Sequence, residues 1–149
     1  MSAKGLYFED YEVGQEIVTP ARTVTEADIT LFAALTGDWN PLHTDAEFAK
    51  KTIFKQRIAH GLLTLSIASG LVARTGILYG TVVAFYGIDK LRFTAPVYIG
   101  DTIRAIIKVL DKQEKELGGL ITAEMRVVNQ RDETVLYCTM KMLVKRRGG

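Results

Sequence analysis

The sequence has little of several things, and each shortage excludes a class of protein. It has one cysteine, Cys138, among 149 residues, which excludes an internal disulfide framework and fits a reducing compartment. Its formal net charge is only +2, which argues against a dedicated nucleic-acid binder. Hydrophobic residues make up 48% of the chain, which excludes a disordered or fibrous protein. We therefore expect an ordinary globular chain without a nucleic-acid partner.

Charged side chains are almost missing from one long stretch. Between Ile58 and Ile88 the only formally charged residue is Arg74. The apolar part before Arg74 is shorter than the roughly 20 residues that a bilayer crossing needs, and serines, threonines and glycines interrupt it. The stretch therefore predicts a buried helix running into a buried strand, and no membrane partner.

The length suits a single domain, which we place over residues 1–149. Residues 1–10 lack the apolar core of a secretion signal and become acidic at their end. These features predict a cytoplasmic protein.

The first third of the chain carries local helix signals. Thr25 is a good N-cap for a helix that Gly37 would end at its C-terminus. A proline within residues 38–43 predicts a loop there. Thr44 and Glu47 then have capping-box spacing, which predicts a short helix running to about residue 51.

Periodicity in the remaining chain predicts one long helix followed by strands. Residues 61–73 are apolar around nearly the whole helical circumference, which is typical of a helix buried on every side. The period then changes to two, and we expect strands near residues 81–88, 91–97, 102–110, 121–128 and 136–144. Successive strands imply an antiparallel sheet, so the predicted class is α+β. Since one sheet covers a helix well on one side only, a second copy of the chain would complete the cover.

Several familiar chemical sites are missing. The only two histidines, His43 and His60, have no nearby cysteine and lack metal-ligand spacing, so we predict no metal site. The chain has no glycine-rich phosphate loop and no Gly-x-Ser-x-Gly nucleophile elbow.

An acid–base pair remains as a candidate for chemistry. Asp38 and His43 are separated by a loop that contains Pro41, and a loop can direct both side chains at one point. A carboxylate and an imidazole aimed at one water can move two protons in opposite directions, as hydration of a polarised double bond requires. The alternative is structural, with Asp38 capping a turn and His43 packing beside it.

Two segments extend this pair into a recognisable motif. Residues 37–43 read GDWNPLH, Asp45, Phe48 and Ala49 follow, and residues 58–62 read IAHGL. The pattern closely resembles the signature of the MaoC-like dehydratases, a family that includes the R-specific enoyl-CoA hydratases. The resemblance implies the hot-dog fold, in which a long antiparallel sheet wraps around a central helix. It also implies a homodimer or a dimer of dimers.

The resemblance implies roles for the loop residues. Asp38 and His43 would hold the catalytic water, with Asp38 as the main general base and His43 sharing water activation and proton delivery. Which of the two moves which proton stays open. Asn40 would hold the loop through side-chain hydrogen bonds, and His60 would have a structural role by bonding the loop.

Two positions on the long helix complete the implied site. The Gly61 N–H is one of the unpaired donors of the first turn, where it would stabilise the oxygen of a thioester enolate. Ser69 matches a family serine that hydrogen-bonds within the site two turns further along. The alternatives are that Gly61 only begins the helix and that Ser69 only allows close packing.

A substrate carried by coenzyme A also needs cations for its phosphates. Lys55 and Arg57, with nearby Lys50 and Lys51, are candidates, although such clusters are usually solvated faces. Coenzyme A would be part of the substrate, so we predict no separate cofactor.

The implied function is reversible hydration of a trans-2-enoyl-CoA to the (R)-3-hydroxyacyl-CoA. Two alternatives remain, namely a hot-dog acyl-CoA thioesterase and a non-catalytic subunit that binds acyl-CoA. The complete acid–base motif argues against both.

Overall fold

Helices fill most of the first half of the chain, and long strands follow them. The computed structural model describes residues 5–148, so the ends of the predicted 1–149 domain and the first part of the 1–10 segment lie outside the described residues. Its helices and strands, in chain order, are a 3₁₀ turn Phe8–Asp10, β1 Glu16–Val18, β2 Arg22–Thr23, α1 Glu26–Thr36, α2 Pro41–Thr44, α3 Ala46–Lys50, α4 Gly61–Arg74, β3 Val82–Phe93, β4 Thr102–Lys115, β5 Gly118–Val128 and β6 Thr134–Val144.

The ends of α1 follow the predicted signals. The Asp28 N–H donates to Thr25 Oγ1 over 3.3 Å, and the Thr25 N–H donates to Asp28 Oδ2 over 2.8 Å, which closes a capping box. Gly37 follows the helix with φ of 81°, a left-handed conformation that glycine adopts without steric cost.

The capping prediction for the next helix is wrong. Asp45, not Thr44, caps α3, because its Oδ1 accepts from the N–H groups of Glu47 and Phe48 over 3.0 Å each. Thr44 instead ends α2, a single turn of helix inside the predicted loop, and its hydroxyl bonds the carbonyls of that turn. The sequence suggested a plain loop because a four-residue helix is too short to show a period.

The strands form one antiparallel sheet in the order β1-β4-β5-β6-β3, with β2 also pairing with β4. The predicted strands at 81–88 and 91–97 are one strand, β3. At the predicted gap between them the strand continues through a register shift and a positive φ of 55° at Lys90. Residues 94–97 lie outside that strand. The six-stranded sheet with a helix packed on it is the predicted α+β architecture.

Helix α4 packs on the sheet with one side only. Leu63, Ala68 and Leu71 are buried in a core shared with Ile103 of β4 and Leu136 of β6. The opposite side of α4 is exposed in the single chain, with Leu62 59% exposed. The other exposed positions of the helix are Ser66, Ser69, Gly70, Ala73 and Arg74. The prediction of burial on every side is therefore wrong for one chain, because the sheet does not reach around the helix.

Segments near the two ends of the described residues meet on the sheet. Phe8 and Tyr11 pack in a second small core with Ile121 and Val144. Arg147 pairs with Asp10, and its N–H donates to Glu9 over 2.8 Å. Within residues 5–148, no helix is long and apolar enough to cross a membrane.

Candidate active site

The loop between α1 and α3 holds Asp38 in place through its neighbours. The Asn40 N–H donates to Asp38 Oδ1 over 3.2 Å, and the Asn40 side chain in turn accepts from the Leu42 N–H over 3.0 Å. Asn40 is thus the N-cap of α2, and Pro41 occupies the first helical position, where its missing N–H costs nothing. The result is an exposed carboxylate on a well-bonded turn, with Asn40 in the loop-holding position that the sequence predicts.

His43 follows on the same turn, and its ring orientation is set from another part of the chain. Its side chain is almost fully buried, and its Nδ1 lies 2.7 Å from the Ile58 carbonyl oxygen. A carbonyl only accepts, so Nδ1 carries a hydrogen, and in the neutral ring Nε2 then carries the free lone pair. Nε2 forms no hydrogen bond with the described residues. An imidazole in this state can accept a proton at Nε2 and later return it.

Asp38, His43 and His60 converge on one point. One polar side-chain atom of each residue lies within 4.8 Å of the others. They line a cavity of about 180 Å³ together with Phe32, Thr36, Gly61 and Leu62. The structure therefore brings together the pair that the sequence singles out, with Gly61 beside it.

This convergence bears on the metal prediction. A carboxylate and two imidazoles are ligands that a divalent ion accepts. However, His43 Nδ1 and His60 Nε2 are already engaged with backbone carbonyls, which leaves one ring nitrogen on each histidine. The absence of a metal stays a prediction.

His60 lies beneath this cavity as the last residue before α4. It is 2% exposed, and its Nε2 lies 3.0 Å from the backbone carbonyl oxygen of Asp38. Its ring stacks on the His43 ring with centroids 3.9 Å apart and an interplanar angle of 28°. The His60 side chain therefore holds the loop through a hydrogen bond to the Asp38 backbone.

Gly61 is the first residue of α4, so its N–H has no partner within the helix. The glycine also has a steric reason, because a Cβ built at this position would lie 2.8 Å from Cε1 of Phe93. Gly61 and Leu62 also line a second, larger cavity of about 470 Å³. Its lining is mostly apolar and includes Phe54, Ile58, Phe93 and Pro96. Gly61 and Leu62 therefore line both the cavity that holds Asp38 and His43 and the larger one.

Ser69 lies apart from this cluster. Its hydroxyl donates to the Ser66 carbonyl within α4 over 2.7 Å, and the side chain is on the exposed side of the helix. Within the described single chain it lines neither of the two cavities that meet at Gly61.

The predicted cations differ in how free they are. Lys55 and Arg57 line a separate cavity of about 210 Å³ together with Lys50. Arg57 pairs with Glu26 over 2.8 Å, and this hydrogen bond lowers the pKa of the Glu26 carboxyl. Lys50 pairs with Glu47 over 2.9 Å. Lys55 is exposed and forms no ion pair with the described residues, so it is the freer of the two predicted cations.

Residues that the motif did not indicate also belong to the site. Phe32 and Thr36 line the cavity from α1, where their spacing of four places them on one face. The Ile58 carbonyl and the Phe93 ring have no sequence signal, because a backbone acceptor has no residue type and Phe93 arrives from β3. Cys138 is not a candidate nucleophile, since burial raises the pKa of its thiol to about 11.

Comparison with solved structures identifies the fold. The chain shares a TM-score of 0.91 and 48% identity with an X-ray structure described as a monoamine oxidase regulatory protein from Archaeoglobus, covering 98% of both chains. A Mycobacterium tuberculosis protein described as having a double hot-dog fold matches with a TM-score of 0.81 and 22% identity, over 97% of this chain and 46% of that one. The fold is the hot-dog fold.

Comparison with characterised sequences identifies the family. The MaoC-like domain profile matches residues 9–131. An (R)-specific enoyl-CoA hydratase from Rhodospirillum rubrum is 43% identical over 112 residues, covering 73% of this chain and 75% of that protein. Protein MaoC of Klebsiella aerogenes is 45% identical over 98 residues, which are 66% of this chain but only 29% of that protein. The chain belongs to the MaoC-like dehydratase family, whose signature its motif resembles.

Proposed function

We propose that this protein is a hydro-lyase that reversibly hydrates a trans-2-enoyl-CoA to the (R)-3-hydroxyacyl-CoA. The observation that carries the proposal is the meeting of three groups at one cavity: the Asp38 carboxylate, the imidazole of His43 and the start of α4 at Gly61. The name of the Rhodospirillum rubrum relative supports the same reaction.

The chemistry follows from those positions. A water held between Asp38 and His43 loses a proton to this pair as its oxygen bonds to C3 of the enoyl group. The pair returns a proton to C2, so the double bond is replaced by a hydroxyl on C3 and a hydrogen on C2. During the step the thioester oxygen gains negative charge, and the Gly61 N–H with the positive end of α4 stabilises it. The reaction needs no cofactor, because coenzyme A is part of the substrate.

Lys55 is the proposed contact for a coenzyme A phosphate, because it has no competing carboxylate among the described residues. Arg57 supports this region through its bond to Glu26 rather than as a free cation. A phosphate would have to compete with Glu26 for the guanidinium.

The exposed side of α4 supports a homodimer as the working form of the protein. Leu62 and the small residues Ser66, Ser69, Gly70 and Ala73 lie uncovered on the helix. Strand β3 is at the edge of the sheet, and its Phe85 and Tyr86 are 51% and 63% exposed. A second copy would cover both surfaces, and Ser69 would then lie at the interface. We propose the dimer, or a dimer of dimers, in the cytoplasm.

The substitution Asp38→Asn tests the proposed reaction. It keeps the shape of the side chain and the acceptor for Asn40, but removes the base. We expect hydration of crotonyl-CoA to fall about 10²-fold or more, with the unfolding midpoint unchanged. The measurement is the loss of enoyl-thioester absorbance, with chiral analysis of the 3-hydroxyacyl product.

Asp111→Asn is the matched control, because Asp111 is an exposed carboxylate on β4 away from the site. It should hydrate crotonyl-CoA at the normal rate. Near-normal hydration by Asp38→Asn would contradict the proposal. Release of free thiol without hydration would show a thioesterase instead, and binding of several enoyl-CoAs without turnover would show a non-catalytic subunit.

A further inference from the structure

His60 makes three connections at once. Its Nε2 contacts the Asp38 carbonyl, its ring stacks on His43, and its backbone continues directly into Gly61. These are the three groups to which the proposed reaction assigns chemistry. A single buried side chain therefore contacts or adjoins every part of the site.

The hydrogen bonds of the two histidines require opposite tautomers. His43 turns Nδ1 toward the Ile58 carbonyl over 2.7 Å, and His60 turns Nε2 toward the Asp38 carbonyl over 3.0 Å. Because both acceptors are carbonyl oxygens, the hydrogen must be on Nδ1 of His43 and on Nε2 of His60. In the neutral rings the free lone pair is then on Nε2 in His43 and on Nδ1 in His60.

The two free nitrogens have different surroundings. His60 Nδ1 is buried and has no hydrogen-bond partner among the described residues. A proton on Nδ1 would create a buried N–H group without a hydrogen-bond acceptor, which is energetically costly. The faces of the His60 ring are also occupied, by His43 on one side and by Phe32 at 5.0 Å, tilted by 58°. Besides His43, the ionisable group beside the ring is the carboxylate of Asp38.

We propose that His60 is a positioning residue that stays neutral as the Nε2–H tautomer and sets the location of Asp38 relative to the His43 ring. It does so by donating a hydrogen bond from Nε2 to the Asp38 backbone carbonyl and by stacking on the His43 ring. His60 takes no proton itself, so His43 is the imidazole that exchanges one with substrate. The catalytic part of this inference rests on the proposed hydration, whereas the tautomer assignment does not.

The tautomers can be read directly in solution. The sequence contains only two histidines, so a long-range ¹H–¹⁵N correlation spectrum of the ¹⁵N-labelled protein shows four ring nitrogens. We expect one ring as the Nδ1–H tautomer and the other as the Nε2–H tautomer. His60→Gln, which leaves His43 alone, assigns them. Finding the same tautomer on both rings, or the reverse assignment, would overturn the proposal.

Two substitutions separate the hydrogen bond from the ring stack. His60→Gln keeps an N–H donor that can reach the Asp38 carbonyl but removes the aromatic ring. His60→Phe keeps a ring against His43 but removes the donor. We expect kcat for crotonyl-CoA hydration to fall about 10-fold in His60→Phe, because the loss of one hydrogen bond that positions Asp38 corresponds to about a tenfold rate change. KM should stay within about 2-fold of normal. His60→Gln should recover most of that loss.

The outcomes distinguish positioning from simple structural support. A normal kcat in His60→Phe overturns the positioning role, as does a loss of activity that only follows a lower unfolding midpoint in both variants. If neither variant folds, the spectrum of the unmodified protein still decides the tautomers. If the unmodified protein shows no hydratase activity, the proposed function fails while opposite tautomers in the spectrum still support the inferred geometry.

Discussion

At the scale of single residues, the site depends on contacts with groups that have no sequence signature. His43 and His60 could be found by eye in the sequence, but the carbonyls that orient them belong to Ile58 and Asp38. The same holds for Gly61, whose conformation any residue can adopt at a helix start. A larger residue there would displace the ring of Phe93, which arrives from a distant strand. Residue type therefore indicates the candidate, and the partner decides its role.

The substitution Gly61→Ala tests this steric reason. The added Cβ would lie 2.8 Å from Phe93 Cε1, so the ring has to move. Because that ring is 50% exposed and can turn away, we expect a loss of no more than about 1 kcal/mol in the free energy of unfolding, measured by urea denaturation.

Phe93→Ala provides the control for that substitution. In the double variant the added methyl no longer meets a ring, so the two losses should not add. Additive losses in this double-mutant cycle would show that Gly61 is required for a reason other than Phe93.

At the scale of elements, the decisive piece is the short helix α2, which periodicity did not reveal. Asn40, its N-cap, donates its backbone N–H to Asp38, and His43 lies within the helix, so both side chains reach one cavity. The longer elements were predictable because their signals are local. Thr25 and Gly37 mark the ends of α1, and alternation in residues 102–110 marks β4.

Asn40→Ala should disturb this turn specifically. It removes the acceptor for the Leu42 N–H, and loss of an N-cap costs about 1 kcal/mol. We expect a decrease of that size in the free energy of unfolding, together with a lower kcat, because Asp38 loses its ordered neighbour. Asn40→Ser, which restores a capping oxygen, should recover stability. Equal stability of Asn40→Ala and the unmodified protein would contradict the capping role.

At the scale of the whole molecule, surfaces and chain ends decide properties that no segment shows alone. Arg147, near the end of the described residues, joins this part of the chain to the N-terminal 3₁₀ turn. The hydrogen bond from Arg147 lowers the pKa of the Asp10 carboxyl below its usual value of 3.8. The pair therefore links pH to stability.

The Asp10→Asn variant shows the direction of this pH dependence. Because the folded-state pKa is depressed, the ionised carboxyl stabilises the fold above the unfolded pKa, and this stabilisation is lost as pH falls through the folded pKa. We expect the variant to unfold at a lower temperature than the unmodified protein at pH 7, and the difference to shrink as pH falls below 3.8 and to vanish once the folded-state carboxyl is protonated. Since the pair is at the surface, added salt should also shrink the difference. A difference that grows on acidification would contradict this assignment.

The proposed dimer gives a second prediction at this scale. Phe85→Lys places a charge on the exposed edge strand β3, which should prevent a second copy from pairing there. We expect light scattering after gel filtration to show a dimer of the 16.5 kDa chain for the unmodified protein and a monomer for the variant.

Leu117→Lys is the matched control for the edge variant. Leu117 is 75% exposed but lies in the turn between β4 and β5 rather than on β3. It should remain a dimer. Dissociation by this control, or a dimer of Phe85→Lys, would contradict pairing through β3.

The sequence by itself determined the elements whose signals are local: the ends of α1, the extent of α4, strands β4, β5 and β6 and the motif that places Asp38 near His43. Caps, alternation and motif spacing all act between residues a few positions apart, so they can be read without the fold. Only the tertiary structure decided which side of α4 is covered, which nitrogen of each histidine carries hydrogen and why residue 61 is glycine. Those properties depend on carbonyls and rings brought from distant positions, and burial and hydrogen bonding are defined only once these are packed together.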